Sequence, residues 1–222
     1  MGITERRERE KIERRKDIID CAKKLILSYG IERVSMEDIA NKAELSKATL
    51  YLYFPGKEAL LNEICEDSAQ VFMEHFGLLL GKGLTGTAAL KCFWRIYVEL
   101  FGNSDEIIII FLVRNYLDSW LPLVPSDKKS KSPKMDAILD AMKNIIEQCK
   151  AEGVFDPDLN SSMATRLLLS TFSIIVEKAA RSSAENRKSP GIIEELTYAF
   201  QTIIRGFTKE GINLSHLDIS ST

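Results

Sequence analysis

Apolar residues recur along this chain at spacings of three and four, and no stretch alternates over the length of a strand. Ile18, Ile19, Ala22, Leu25, Ile26 and Tyr29 mark a first helix, which Gly30 is suited to stop as the residue after the cap. Met36, Ile39, Ala40 and Ala43 stand at i, i+3, i+4 and i+7, one face of a helix of about two turns. Ser35 can cap it, and Asp38 three residues on can complete a capping box. Ala43-Glu44-Leu45 leaves room for a turn only. Ser46 then caps another short helix with Leu50 and Phe54 on its inner face, and Pro55-Gly56 ends it.

The pattern continues at once through Leu60, Leu61, Ile64, Cys65, Ser68, Val71 and Phe72 to about Phe76, without a linker. Gly77, Gly81, Gly83 and Gly86 punctuate a loop. Residues 87–101 form a helix rich in large groups (Phe93, Trp94, Tyr97, Phe101), and 102–105 break it. Asp105 is placed to cap the next, 106–120, and 121–134 reads as an exposed loop with three prolines and four lysines. Met135, Ile138, Leu139, Met142, Ile145, Ile146 and Cys149 trace another helix, stopped by Gly153. The chain closes with helices over 161–181 and from Pro190 to about Phe207, then a polar tail. The expected class is all-α: a three-helix headpiece over residues 1–57, joined rigidly to a helical domain over 58–222.

The stretch 35–57 is the pattern of a helix-turn-helix, whose second helix enters the DNA major groove. The geometry of that motif assigns roles by face. Lys47, Ala48 and Tyr51, near the start of the second helix, would meet base edges: lysine can donate to guanine, and apolar groups can touch a thymine methyl. Ser35 offers a hydroxyl and helix-start amides to a phosphate, and Ser46 holds the start of the reading helix.

Charge adds little. The net charge of −2 does not advertise nucleic-acid binding. Residues 1–57 hold 13 Lys/Arg and 10 Asp/Glu, net +3; 58–222 hold 17 and 22, net −5. The mixed run over residues 2–16 is either a solvated first turn or frayed arm, or a basic arm reaching phosphates. The longest apolar run, residues 107–113, falls far short of the about 20 residues of a membrane span, and a charged N-terminus is no signal peptide. A cytoplasmic protein is expected. Four dispersed cysteines without CxxC point to buried thiols rather than zinc or disulfides. Two histidines, no Glu-x-x-His, and no GxSxG, Walker or GxGxxG motif argue against an enzyme; no cofactor and no metal are expected.

Ile39-Ala40, Ala43 to Ser46, Leu50 to Phe54 and Lys57 to Leu60 together resemble the TetR family of one-component transcriptional regulators, over roughly residues 10–62. One departure stands in the turn, where the family usually has glycine and this chain has Glu44. The resemblance implies phosphate contacts for Thr49, Tyr53 and Lys57, and a homodimer through the two C-terminal helices, which by their pattern could equally be core. It also implies a small-molecule inducer in the middle of the chain, about residues 87–153, which releases a palindromic operator. The aromatic and methionine content there suits a lipophilic ligand, with Trp94, Tyr97, Glu99, Phe111, Arg114 and Trp120 as candidate contacts. The same aromatics at helical spacing also fit plain core. The implied function is a ligand-responsive regulator, most simply a repressor. The alternatives are a DNA-binding regulator without small-molecule response, an activator and, far behind, a helical-bundle enzyme.

Overall fold

The computed structural model describes residues 2–80, 83–117, 132–182 and 186–212. Among these residues nine α-helices carry the chain, in agreement with the all-α reading: α1 (Ile3–Tyr29), α2 (Met36–Lys42), α3 (Lys47–Tyr53), α4 (Lys57–Leu80), α5 (Gly86–Asn103), α6 (Glu106–Leu117), α7 (Pro133–Ala151), α8 (Ser161–Ala180) and α9 (Pro190–Phe207).

In the headpiece, Ile18, Ile19, Ala22 and Ile26 of α1 are buried against Met36, Ile39 and Ala40 of α2 and Leu50 of α3. The charged N-terminal run is neither frayed nor a single turn. It is helical from Ile3, and its side chains from residues 4 to 14 are exposed. Tyr29, the last residue of the apolar pattern in α1, is 63 % exposed.

Helix α4 runs through Gly77 to Leu80, one turn further than its apolar pattern suggests. Its Phe72 and Phe76 meet Phe93 of α5 edge-on, at 5.3 and 5.5 Å between ring centres. Deeper in the domain Trp94 stacks on Phe200 of α9 at 4.4 Å and touches Phe172 of α8 at 5.6 Å. Tyr97 lies 4.9 Å from Phe172 and 6.5 Å from Phe111 of α6. One aromatic cluster therefore joins four helices. At the start of α5 a glycine is required by space. A Cβ on Gly86 would lie 2.6 Å from the backbone nitrogen of Cys149, and the Gly86 amide donates to Glu152 Oε1 at 2.6 Å. The last turn of α9 is stitched back to the loop after α7, with Asp156 N on Phe207 O and Lys209 N on Val154 O.

All four cysteines are free thiols. Burial pushes Cys65 up to about 11, against the opposing pull of the neighbouring Arg114, and Cys149 up to about 12. Asp105 turns its carboxylate to Lys188, at 2.9 Å, rather than to a helix cap. Among the described residues no helix is long and apolar enough to cross a membrane, and no three His, Cys, Asp or Glu side chains converge as metal ligands.

Candidate nucleic-acid interface

The helix-turn-helix is built from two capped helix starts. The Ser35 amide and hydroxyl both donate to Asp38 Oδ2, at 2.8 and 2.6 Å, and Asp38 N donates back to Ser35 Oγ at 3.2 Å. These donors hold the Asp38 carboxyl below the ordinary carboxylate range. Ser46 Oγ receives the Thr49 amide at 3.0 Å and lies 2.8 Å from the Thr49 hydroxyl, which fixes the first turn of α3.

Between them the chain closes a Schellman turn. Glu44 N donates to Asn41 O (3.2 Å) and Leu45 N to Ala40 O (2.9 Å). This geometry puts Glu44 at φ +57°, the left-handed region where glycine is at ease. A side chain there costs about 1–2 kcal/mol. Glu44→Gly should therefore raise stability by up to about 1 kcal/mol, the relief being partly offset by greater freedom of the unfolded chain. Urea unfolding of the two proteins measures it, and an unchanged or lower midpoint would mean that the turn is not strained.

With Leu50 and Phe54 buried (0 % and 1 % exposed), the other face of α3 is forced outward. Lys47, Ala48 and Tyr51 stand exposed on it, with Ser46 beside them; Thr49 and Tyr53 are half-buried. Lys47 Nζ rests 3.3 Å from Glu37 Oε2 on α2, an exposed pair that an incoming phosphate or base can displace. Leu52, on the same outward face, is 84 % exposed and was not among the residues singled out from sequence. The signal was available: once Leu50 and Phe54 point inward, residue 52 must point out.

Lys57 departs from the expectation of a phosphate contact. Its Nζ donates to Ile31 O at 2.7 Å and sits 4.9 Å from the ring centre of Tyr116 on α6. The charge is turned inward, between the headpiece and the helices behind it. Lys23, only 8 % exposed, makes a second such junction, with Asp67 of α4 at 2.8 Å and Glu106 of α6 at 2.7 Å. Burial opposes its charge, but hydrogen bonds to the two carboxylates outweigh that and raise its pKa. Arg187, just before α9, donates to Leu27 O at 3.0 Å.

The ligand contacts expected from sequence divide. Trp94, Tyr97, Phe111 and Arg114 are all buried at 2 % exposure or less. Glu99 lies on the exposed face of α5 and is corrected to a solvated carboxylate, because the inward face is filled by aromatics. Trp120 lies outside the described residues. The Tyr97 and Ser68 hydroxyls are buried with no hydrogen-bond partner among the described residues, and burial raises the Tyr97 pKa well above its usual value. A cavity of about 650 Å³ opens elsewhere, between Ile31 and Arg33 of the headpiece, Leu112 and Tyr116 of α6, and Arg181 at the end of α8. Trp94, Tyr97, Glu99, Phe111 and Arg114 do not line it.

Residues 18–64 match the family model described as bacterial regulatory proteins, tetR family. Over 164 residues the chain is 23 % identical to the HTH-type transcriptional repressor KstR2 of Rhodococcus jostii, covering 73 % of this chain and 78 % of that protein. Among solved structures, the fatty acid degradation regulator FadR of Bacillus halodurans superposes with a TM-score of 0.62 at 18 % identity, over 87 % of this chain and 95 % of that one. FadR of Thermus thermophilus, a transcriptional repressor solved with lauroyl-CoA, superposes with a TM-score of 0.55 at 20 % identity, over 89 % and 97 %. These two show the fold. The sequence relatives are transcriptional regulators, not enzymes.

Proposed function

Because the chain belongs to the TetR family of bacterial transcriptional regulators, we propose that it is a homodimeric, ligand-responsive regulator, most simply a repressor, that binds a palindromic operator and works in the cytoplasm. The observation that carries the reading is the outward face of α3. Lys47, Ala48, Tyr51 and Leu52 project from a short helix whose start is capped by Ser46 and whose inner face is locked by Leu50 and Phe54. Residues 1–57 form the DNA-binding unit, with Ser35, Thr49 and Tyr53 toward phosphates. Residues 58–222 form the ligand-binding and dimerisation unit.

Dimerisation is supported by a surplus of apolar groups on the C-terminal helices. Met163, Leu167 and Ile174 share one face of α8 and are 53–69 % exposed, and Tyr198 of α9 is 72 % exposed. An apolar stripe left in water on helices whose other face is already buried fits a four-helix interface with a second copy.

The ligand reading is supported by the orphan Tyr97 and Ser68 hydroxyls. Each costs about 1–3 kcal/mol, which a ligand's polar group would offset. Trp94 and Phe111 stand 5.9 and 6.5 Å from the Tyr97 ring, and a lipophilic molecule carrying a polar head suits that site. The relative crystallised with lauroyl-CoA is of that kind. A ligand that separates α5 from α6 would displace Glu106 and Tyr116, the α6 partners of Lys23 and Lys57. The headpieces would tilt and operator spacing would be lost.

The test is selection of random duplex DNA on the purified protein, followed by anisotropy titration of the winner. A two-fold symmetric winner is expected, released by lipophilic compounds of the acyl type. Lys47→Ala should change which bases are preferred at one position of each half-site, by about 1–3 kcal/mol of discrimination. A selection on Lys47→Ala that returns the wild-type sequence would mean that the facing of α3 is wrong.

A further inference from the structure

The cavity of about 650 Å³ lies where the headpiece meets the helices behind it, and both supply its walls. Tyr29 and Ile31 come from the end of α1 and the turn after it, and Leu112 and Tyr116 from α6. Arg181, which caps α8, and Arg187, just before α9, complete it. Its size falls within the roughly 300–1,000 Å³ of small-molecule sites. The walls offer aliphatic and aromatic surface, including the ring of Tyr29, which packs on nothing in the core.

The charge of the lining favours an anion. Arg33, Arg181 and Arg187 line the cavity together with two acids, Glu32 and Glu177. Glu177 is already engaged at both oxygens, Oε1 by Arg181 Nη2 and Oε2 by Asn115 Nδ2 at 3.2 Å. Glu32 is exposed on the headpiece side. Arg187 is half-buried and spends one N–H on the carbonyl of Leu27. Among the described residues it has no carboxylate partner, and its Nε is shielded from water without a hydrogen bond. A guanidinium that has lost part of its hydration and gained no counter-ion is unfavourable, and a bound carboxylate would offset that cost.

We propose that this cavity is a second ligand site, separate from the aromatic cluster around Trp94 and Tyr97, and that it takes a small aromatic carboxylate. The ring of the ligand lies against Tyr29 and Tyr116, and its carboxylate is held by Arg187. The site also bears on the junction between the two parts of the chain. Lys57 Nζ already links the same walls, 2.7 Å from Ile31 O and 4.9 Å from the ring centre of Tyr116. A ligand touching both walls binds one arrangement of headpiece and helices better than another, so its binding is coupled to that of the operator. The coupling rests on the chain being a DNA-binding regulator; the site itself does not.

The test is calorimetric titration of the full chain with 2-naphthoate, and with 2-naphthalenemethanol as the uncharged compound of the same shape. Naphthoate should occupy one site per chain, with the alcohol at least about tenfold weaker. Arg187→Met should remove that preference for the anion. Tyr29→Ala, at an exposed position that the fold does not need, should weaken naphthoate by about two- to tenfold. The selected duplex is then titrated with and without saturating naphthoate. Its affinity should change by about fivefold or more, and naphthoate affinity should change by the same factor when duplex is bound. No binding of naphthoate, equal binding of the alcohol, or wild-type binding by both variants would overturn the site. Duplex affinity indifferent to bound naphthoate would overturn the coupling. A wild type that binds naphthoate through Arg187 and Tyr29 but selects no duplex would support the site and overturn the DNA-binding reading instead.

Discussion

Leu167→Glu with Ile174→Glu is expected to yield a folded monomer whose operator affinity is lower by at least about 100-fold, the advantage that disappears when two sites no longer bind as one unit. Both side chains lie in the stripe on α8 that is exposed in the single chain, at 53 % and 69 %. Neither supports the core, so helicity should be retained. In a two-fold interface each substitution appears twice, and four carboxylates would have to leave water beside one another. Burying an unpaired charge costs several kcal/mol, more than a Leu or Ile contact of about 1.5–3 kcal/mol returns. Light scattering gives the mass and anisotropy the affinity. A double variant that stays dimeric and binds DNA normally would remove α8 from the interface.

Trp94→Ala should lower the melting temperature by about 6–20 °C. Truncating a large buried aromatic side chain costs about 3–5 kcal/mol, and each kcal/mol moves a domain of this size by about 2–4 °C. Trp94 is 2 % exposed, stacks on Phe200 at 4.4 Å and touches Tyr97 and Phe172, so α5, α8 and α9 all lean on one indole. Because α8 and α9 also carry the exposed stripe, dimerisation should weaken with the fold. The scan is read at one protein concentration, since association shifts the apparent midpoint. Trp94→Phe, which keeps a ring, should recover most of the deficit. A midpoint within a degree or two of wild type for Trp94→Ala would show that the cluster is not structural.

Much of this molecule was determined locally. Ser35 with Asp38, and Ser46 with Thr49, close their hydrogen bonds within three residues, so the starts of α2 and α3 follow from neighbouring side chains alone. The turn at Ala43-Glu44-Leu45 and the inward placement of Leu50 and Phe54 are equally short-range, and that is why the helix-turn-helix was legible residue by residue. Periodicity locates a helix but does not say how many faces it buries. Leu167 and Ile174 scan with Leu168 and Ile175 as one apolar set, and tertiary packing alone divided them between core and surface. Glu99 could face either way until the ring cluster claimed the inner face of α5. Lys57 looked like a surface cation until Ile31 and Tyr116, 26 and 59 residues away, supplied a carbonyl and a ring for it. The charged run at the N-terminus is ambiguous as sequence, since arm and frayed turn have the same composition. Arg15 reaching the carbonyl of Tyr53 anchors the base of that run on the end of α3. Capping and face spacing act over one or two turns and are therefore written in the chain order. The partner of a buried charge, and the choice between a helix's two apolar faces, depend on groups that meet only when the helices pack.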